Sequence, residues 1–128
     1  MKEQTAKLLD KAARAIQAAE GLLNLTHVDY AAGRAYYAMF FTAQALLSEK
    51  GLRSRRHTGI QALFGEHFAK PGRMDQKYHR WLINAFERRL EGDYGIELTI
   101  VPEEARELIE QAREFLREAQ KSLEHDQR

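Results

Sequence analysis

An arginine near the end of a predicted helix is the residue whose type and position most directly suggest chemistry. Arg89 continues the buried line of that helix, which is formed by Tyr78, Leu82 and Ala85. A guanidinium on a buried face is costly unless it is paired or faces a cleft. Two interpretations stay open: an ion pair between Arg89 and Asp93 that closes the helix end, or an arginine that binds phosphate, with Asp93 and Tyr94 setting its orientation.

A second set of polar and aromatic residues recurs every three or four positions on the preceding long helix. The set consists of Arg34, Tyr37, Phe41 and Gln44. Such a stripe on an otherwise apolar helix is typical of a partly buried seam, and it also fits a cleft or a dimer groove. We take Arg34 and Tyr37 as further candidates for phosphate binding.

The segment 53–57 reads Arg-Ser-Arg-Arg-His and directly precedes a predicted short helix. Free backbone N–H groups and the helix dipole favour anions at a helix N-terminus, and the arginines add side-chain charge there. His57 is therefore another candidate ligand residue. The alternative is that this loop is simply solvated.

Several classes of chemistry have no signature in the sequence. There is no phosphate-binding glycine loop, no HExxH and no nucleophile elbow. The five histidines lack metal-ligand pairing at i, i+4, so we expect neither a metal nor a cofactor. The absence of cysteine fits a reducing compartment, and no uncharged apolar run approaches the ~18–20 residues of a membrane span. We therefore expect a cytoplasmic protein that does not enter a membrane.

The formal net charge of +1 conceals an uneven distribution along the chain. Residues 50–89 include ten basic and three acidic side chains, whereas residues 90–128 include five basic and eleven acidic ones. A basic middle suggests an anionic partner for one face. The alternative is that the basic and acidic helix surfaces attract each other.

Apolar spacing predicts five helical segments and no strand of useful length. The segments run roughly over Lys2–Leu23, Asp29–Lys50, Thr58 to before Pro71, Asp75–Glu91 and Pro102–Leu123. A capping box is predicted at residues 58–61, and the second helix is apolar nearly all round, which requires a central position, a dimer partner, or both. We predict an all-α, up-and-down bundle of about five helices, four long and one short, in a single domain over residues 1–128.

Several blocks of the chain, in the right order, resemble the HEPN (higher eukaryotes and prokaryotes nucleotide-binding) domain, in its short stand-alone prokaryotic branch. Residues 33–40 read GRAYYAMF and are similar to that branch's SRAYYAMF helix. Residues 50–52 and 57–59 resemble the turn that follows, and residues 62–68 resemble the third helix. Residues 89–94 are similar to the R-x-x-x-D-Y ending. The resemblance covers almost the whole chain.

The resemblance implies a helical bundle that forms a homodimer, with the arginine motifs of both protomers facing a shared cleft. Many members are metal-independent RNases, often toxins paired with a minimal nucleotidyltransferase antitoxin. Their motif is an arginine followed, a few residues later, by a histidine. Here Tyr94 stands where that histidine is expected. A tyrosine with an ordinary pKa of about 10 is poorly suited to proton transfer near neutral pH.

Three hypotheses about function follow. The first is a homodimeric module that binds nucleotide or RNA phosphate and acts with a minimal nucleotidyltransferase in a toxin–antitoxin-like pair. The second is a metal-independent RNase toxin, in which Arg89 stabilises the phosphate and Tyr94, His57 or a residue across the dimer assists proton transfer. The third is a structural helical dimer without a ligand.

Overall fold

The computed structural model of the chain describes residues 1–97 and 99–126. Five α-helices form its architecture, and no strand occurs within these residues: α1 (Glu3–Asn24), α2 (Val28–Glu49), α3 (His57–Phe64), α4 (Gln76–Tyr94) and α5 (Pro102–Asp126). A π-helical turn, Gly65–Ala69, continues α3. The predicted all-α bundle is confirmed. Residue 98 of the predicted connection and residues 127 and 128 of the tail lie outside the described part of the chain.

Helix α2 lies at the centre of the bundle and contacts α1, α3, α4 and α5. Fourteen of its 22 residues are buried. One strip of small residues on α2 is fully buried, which lets neighbouring helices approach the α2 backbone closely. This strip comprises Ala31, Ala35, Ala38, Thr42 and Ala45. The apolar character of α2 on several faces therefore has an explanation within one chain.

The start of α3 corrects the predicted capping box. The helix begins at His57 with Arg56 as its N-cap residue, and no side chain caps it, so Thr58 lies inside the helix. The ring of His57 packs between helices α2 and α4, as described below, and this packing holds His57 in the first helical turn. Ser54 contributes locally instead, since its hydroxyl oxygen accepts a 3.2 Å hydrogen bond from the Arg56 backbone N–H.

Helix α4 starts as predicted but ends three residues later than predicted. The carboxylate of Asp75 accepts a 2.9 Å hydrogen bond from the Lys77 backbone N–H at the N-terminus. At the other end the helix continues through Gly92, where a side chain would meet the backbone oxygen of Asp29 at 3.3 Å. This extension places Asp93 one helical turn after Arg89.

Ion pairs connect the basic middle of the chain to its acidic last helix. Arg88 contacts Glu104 at 2.6 Å and Lys77 contacts Glu114 at 2.9 Å. Arg34 and the basic loop before α3 form no ion pair within the described residues. The acidic helix therefore neutralises only part of the basic surface. Within the same residues, no helix combines the length and the apolar character that crossing a membrane requires.

Candidate functional site

The candidate site lies where the first half of α2 packs against the last turns of α4. Gly33 lies at this contact, where a β-carbon on it would stand 3.9 Å from both Arg89 Cγ and Asp93 Oδ1, an ordinary van der Waals distance. The side chains of Arg89 and Asp93 thus lie beside Gly33 of α2. Arg34 and Tyr37 flank this contact on the same helix.

Two guanidinium groups lie on the ring of Tyr37. The Cζ atom of Arg34 is 4.5 Å from the ring centre, and that of Arg89 is 5.3 Å from it. Aromatic rings attract cations at these distances, because the ring face carries a partial negative charge. Arg34 is exposed, whereas the Arg89 side chain keeps only 17% of its surface in solvent. The arrangement concentrates positive charge at one point of the surface.

Asp93 is the carboxylate that contacts Arg89. Its Oδ2 lies 2.9 Å from Arg89 Nε, yet the Nε–H does not point at it, and Nε is a buried atom without a hydrogen bond. The contact is therefore an ion pair without a well-directed hydrogen bond. Tyr94 is 76% exposed and, among the described residues, forms no side-chain hydrogen bond or aromatic contact. The structure thus brings Asp93, but not Tyr94, to Arg89.

His57 adjoins this cluster from the start of α3. Its ring stacks on Phe40 at 4.4 Å and on Phe86 at 5.7 Å between ring centres, and it meets the Tyr37 ring edge-on at 5.8 Å. Burial lowers the pKa of His57, and the positive charge of Arg89 lowers it further. The imidazole is therefore biased towards its uncharged form.

Tyr36 is a further member of the site, although its position in the sequence did not indicate a functional role. Its hydroxyl lies 2.5 Å from Nδ1 of His57, although the residue has no solvent exposure. Burial raises the pKa of Tyr36 well above its usual range, so the phenol stays protonated. A sequence signal was available, because a buried tyrosine hydroxyl usually has a hydrogen-bond partner.

The remaining stripe residues extend from the cluster along α2. Lys11 lies over the Phe41 ring at 4.7 Å, and Gln44 lines a cleft with Arg53 and Arg55. Cations and aromatic rings thus alternate along one side of the helix. Across residues 1–97 and 99–126, no group of three or more histidine, aspartate or glutamate side chains could hold a metal ion.

The protein is an all-α helical bundle in which Arg89 and Asp93, near the end of α4, lie against α2. A family model described as the HEPN domain matches residues 5–125. The chain therefore belongs to the HEPN domain family.

Individual relatives agree with this assignment. A UPF0332 protein of Gloeobacter violaceus is 43% identical over 88 residues, which cover 69% of this chain and 70% of that one. Two proteins of Methanocaldococcus jannaschii bear the name "Putative toxin". One is 32% identical over 84% of this chain and 74% of its own length, and the other is 31% identical over 96% and 91%. The chain is thus similar to proteins with toxin-like names.

Proposed function

We propose that this HEPN-domain protein is a phosphate-binding module of a homodimer that holds RNA or a nucleotide through Arg34, Tyr37 and Arg89. It acts with a minimal nucleotidyltransferase as the toxin-like half of a toxin–antitoxin-like pair, in the cytoplasm. The observation that carries the proposal is the pair of guanidinium groups on one tyrosine ring, of which only that of Arg89 contacts a carboxylate, Asp93, within the described residues.

The charges at this site favour an anion. Arg34 and Arg89 contribute two positive charges, and Asp93 contributes one negative charge, so the three side chains carry a net charge of +1. The guanidinium has five N–H donors in a planar fork, which matches the oxygens of a phosphate group. Asp93 lies nearest to Nε of Arg89, and among the described residues the two terminal nitrogens of Arg89 form no hydrogen bond, so they remain for a ligand. A bound phosphate would complete the neutralisation of the cluster.

The stripe along α2 supports a polymer over a mononucleotide. Proteins that bind single-stranded nucleic acids combine a basic groove, which follows the backbone, with aromatic rings on which bases stack. Lys11 and Phe41 continue the pattern beyond Tyr37, and Arg53 and Arg55 extend it to the loop before α3. We therefore expect single-stranded RNA to bind more tightly than a free nucleotide.

Exposed apolar residues beside the site support the homodimer. Tyr30, Tyr94 and Ile96 expose 57%, 76% and 102% of their surface. They lie at the same end of the bundle, because Gly92 packs against Asp29 at the start of α2. Apolar side chains of this size are commonly covered in an interface. A second copy seated there would bring two arginine clusters towards one cleft.

Calorimetry tests the ligand directly, with a short single-stranded RNA and AMP titrated separately into the protein. The expected result is saturable binding of the RNA that added salt weakens, because the arginines release cations condensed on the RNA phosphates. Absence of binding by both ligands would overturn the proposal.

Sedimentation velocity tests the dimer, which should dissociate in a Tyr94→Asp, Ile96→Asp double variant. Co-purification with a co-expressed minimal nucleotidyltransferase tests the partner.

A second candidate function is a metal-independent RNase toxin. The observation that favours it is the position of His57, which lies at the same Tyr37 ring as Arg89. Its imidazole could replace the histidine that the motif lacks at Tyr94. In this case Arg89 would stabilise the phosphate, with Tyr94 as the motif's other candidate catalytic group. Expression of the protein alone should slow bacterial growth, and a folded Arg89→Ala variant should restore it. RNA cleavage that persists unchanged in purified Arg89→Ala would exclude this function.

A further inference from the structure

The imidazole of His57 is held so that its two nitrogens face different surroundings. We propose that Tyr36 fixes His57 in the tautomer with the proton on Nε2, and that this N–H donates a hydrogen bond to a phosphate oxygen bound at Arg89. The inference rests on the proposed function, because it assigns a further binding group to the same site. It makes Tyr36 a positioning residue that acts through His57.

Aromatic packing fixes the direction of the ring. The ring planes of His57 and Phe40 are inclined by 26°, and those of His57 and Phe86 by 27°, so the imidazole stacks on a ring of α2 and on a ring of α4. Tyr37 closes one edge at 5.8 Å between ring centres. Rotation of the ring would lose the 2.5 Å contact between Nδ1 and the Tyr36 hydroxyl. The nitrogen positions are therefore defined before any ligand arrives.

The proton in the contact between Tyr36 and His57 belongs to the phenol. A phenol O–H is a stronger donor than an imidazole N–H, and an imidazole nitrogen is a stronger acceptor than a phenol oxygen. The hydroxyl therefore donates to Nδ1 across the 2.5 Å contact, and the ring proton resides on Nε2.

Tyr36 keeps this contact because its ring is enclosed. The residue has no solvent exposure, and its ring centre lies 5.9 Å from that of Phe40 and 5.5 Å from that of Phe86. The phenol is therefore held beside Nδ1 of His57.

The second nitrogen of His57 is available to a ligand. Among the described residues Nε2 has no hydrogen-bond partner, and it is not among the buried unpaired side-chain atoms. The charged and titratable groups around the ring are Tyr36 and Tyr37 of α2, Arg89 of α4 and the neighbouring Arg56, so no carboxylate draws a second proton to it. An uncharged N–H donor beside a guanidinium adds a directed bond without adding charge.

Nuclear magnetic resonance of the free protein, labelled with ¹⁵N in histidine, tests the tautomer without any ligand. At pH 7.5 the His57 spectrum should show an unprotonated Nδ1 and a protonated Nε2. The Tyr36→Phe variant should show a mixture of the two tautomers, while its His67 signals stay unchanged. A protonated Nδ1 in the wild-type protein would overturn the inference. So would an unchanged tautomer in Tyr36→Phe.

Binding of single-stranded RNA tests the donor. The amide nitrogen of glutamine reaches the position of Nε2, whereas that of asparagine reaches the position of Nδ1. We expect His57→Asn to lose about 10-fold in affinity, as for one hydrogen bond to a charged group, and His57→Gln to lose clearly less. His67→Asn is the matched control, and thermal unfolding checks that each variant is folded.

The outcomes separate this inference from the proposed function. Equal losses in His57→Asn and His57→Gln would overturn the donor role, even with a correct tautomer. Wild-type protein that binds no RNA would overturn the proposed function and the donor role together. The spectrum of the free protein would still decide whether Tyr36 sets the tautomer.

Discussion

The guanidinium carbon of Arg89 lies 5.3 Å from the centre of the Tyr37 ring, which joins the end of α4 to the first half of α2. The same ring carries Arg34 at 4.5 Å. Two like charges near one another repel, and the electron-rich ring face offsets part of that repulsion. Tyr37 therefore stabilises the two arginines beside each other.

Two substitutions of Tyr37 distinguish the contribution of its ring to RNA binding from that of its hydroxyl. Tyr37→Leu should lower the affinity for single-stranded RNA by about 2- to 30-fold, since each cation–π contact contributes about 0.5–2 kcal/mol. Tyr37→Phe keeps the ring face and should lose far less. Fluorescence anisotropy of a labelled RNA measures both. Equal losses in the two variants would show that the ring does not hold the arginines for binding.

Asp93→Asn tests whether Arg89 is a ligand-binding arginine or only a structural one. The substitution preserves shape and removes the negative charge that competes with phosphate. We expect RNA affinity to rise by up to about fivefold, because a partly exposed ion pair contributes about 0–1 kcal/mol. The free energy of unfolding, from urea denaturation, should fall by no more than a similar amount. Lower stability with unchanged affinity would instead indicate a structural clamp.

The pKa of His57 predicts a loss of stability in mildly acidic solution. Its pKa is below the ordinary value of 6.5 in the folded protein, so the unfolded chain binds the extra proton more readily. The contribution is fully present above about pH 6.5 and is lost as the pH falls through the folded pKa. The midpoint of thermal unfolding should therefore decrease between pH 7 and pH 5.

A matched variant isolates this effect. His57→Gln should flatten the decrease between pH 7 and pH 5, whereas His67→Gln should not. The carboxylates of Glu49 and Glu114, whose pKa values are lowered mainly by hydrogen bonds from Lys2 and Lys77, act in a separate window below about pH 4.5. Identical slopes for wild type and His57→Gln would contradict the assignment.

Two glycines should respond in opposite ways to alanine. A β-carbon at Gly33 meets only ordinary contacts at 3.9 Å, so Gly33→Ala should stabilise α2 by about 1 kcal/mol. At Gly65 the new atom would stand 2.8 Å from the His79 ring, which is tied to the Gln61 backbone oxygen, so Gly65→Ala should destabilise the protein. Urea denaturation measures both. A destabilising Gly33→Ala would mean that α2 and α4 pack more tightly at this point.

Helical periodicity was sufficient for most of the fold. The bounds of α1 and α2 agree with the predicted ones to within one residue, and Gly51 ends α2 with a φ of 74°. The start of α3 was predicted wrongly, because residues 58–61 fit a local capping pattern while tertiary packing of His57 decides the boundary. The π-helical turn had no local signal either, since it depends on how α3 meets α4.

Part of the candidate site could also be predicted from sequence. The i, i+4 spacing of Arg89 and Asp93 predicted their contact. The polar and aromatic stripe on α2 indicated Arg34 and Tyr37 as candidate binding residues. Arg34 and Arg89 lie on the same Tyr37 ring because of how α2 packs against α4, and spacing within one helix cannot predict how two helices pack. The bond between Tyr36 and His57 joins residues 21 positions apart, so it too required the fold.

The central claim is that the Arg89 cluster binds phosphate, and two arginine variants of equal charge test it most directly. Arg89→Ala and Arg80→Ala each remove one positive charge from α4, but Arg80 is exposed and lies outside the cluster. Fluorescence anisotropy with single-stranded RNA should show a loss of about 10-fold or more for Arg89→Ala and less than about twofold for Arg80→Ala. Equal losses in the two folded variants would contradict the claim.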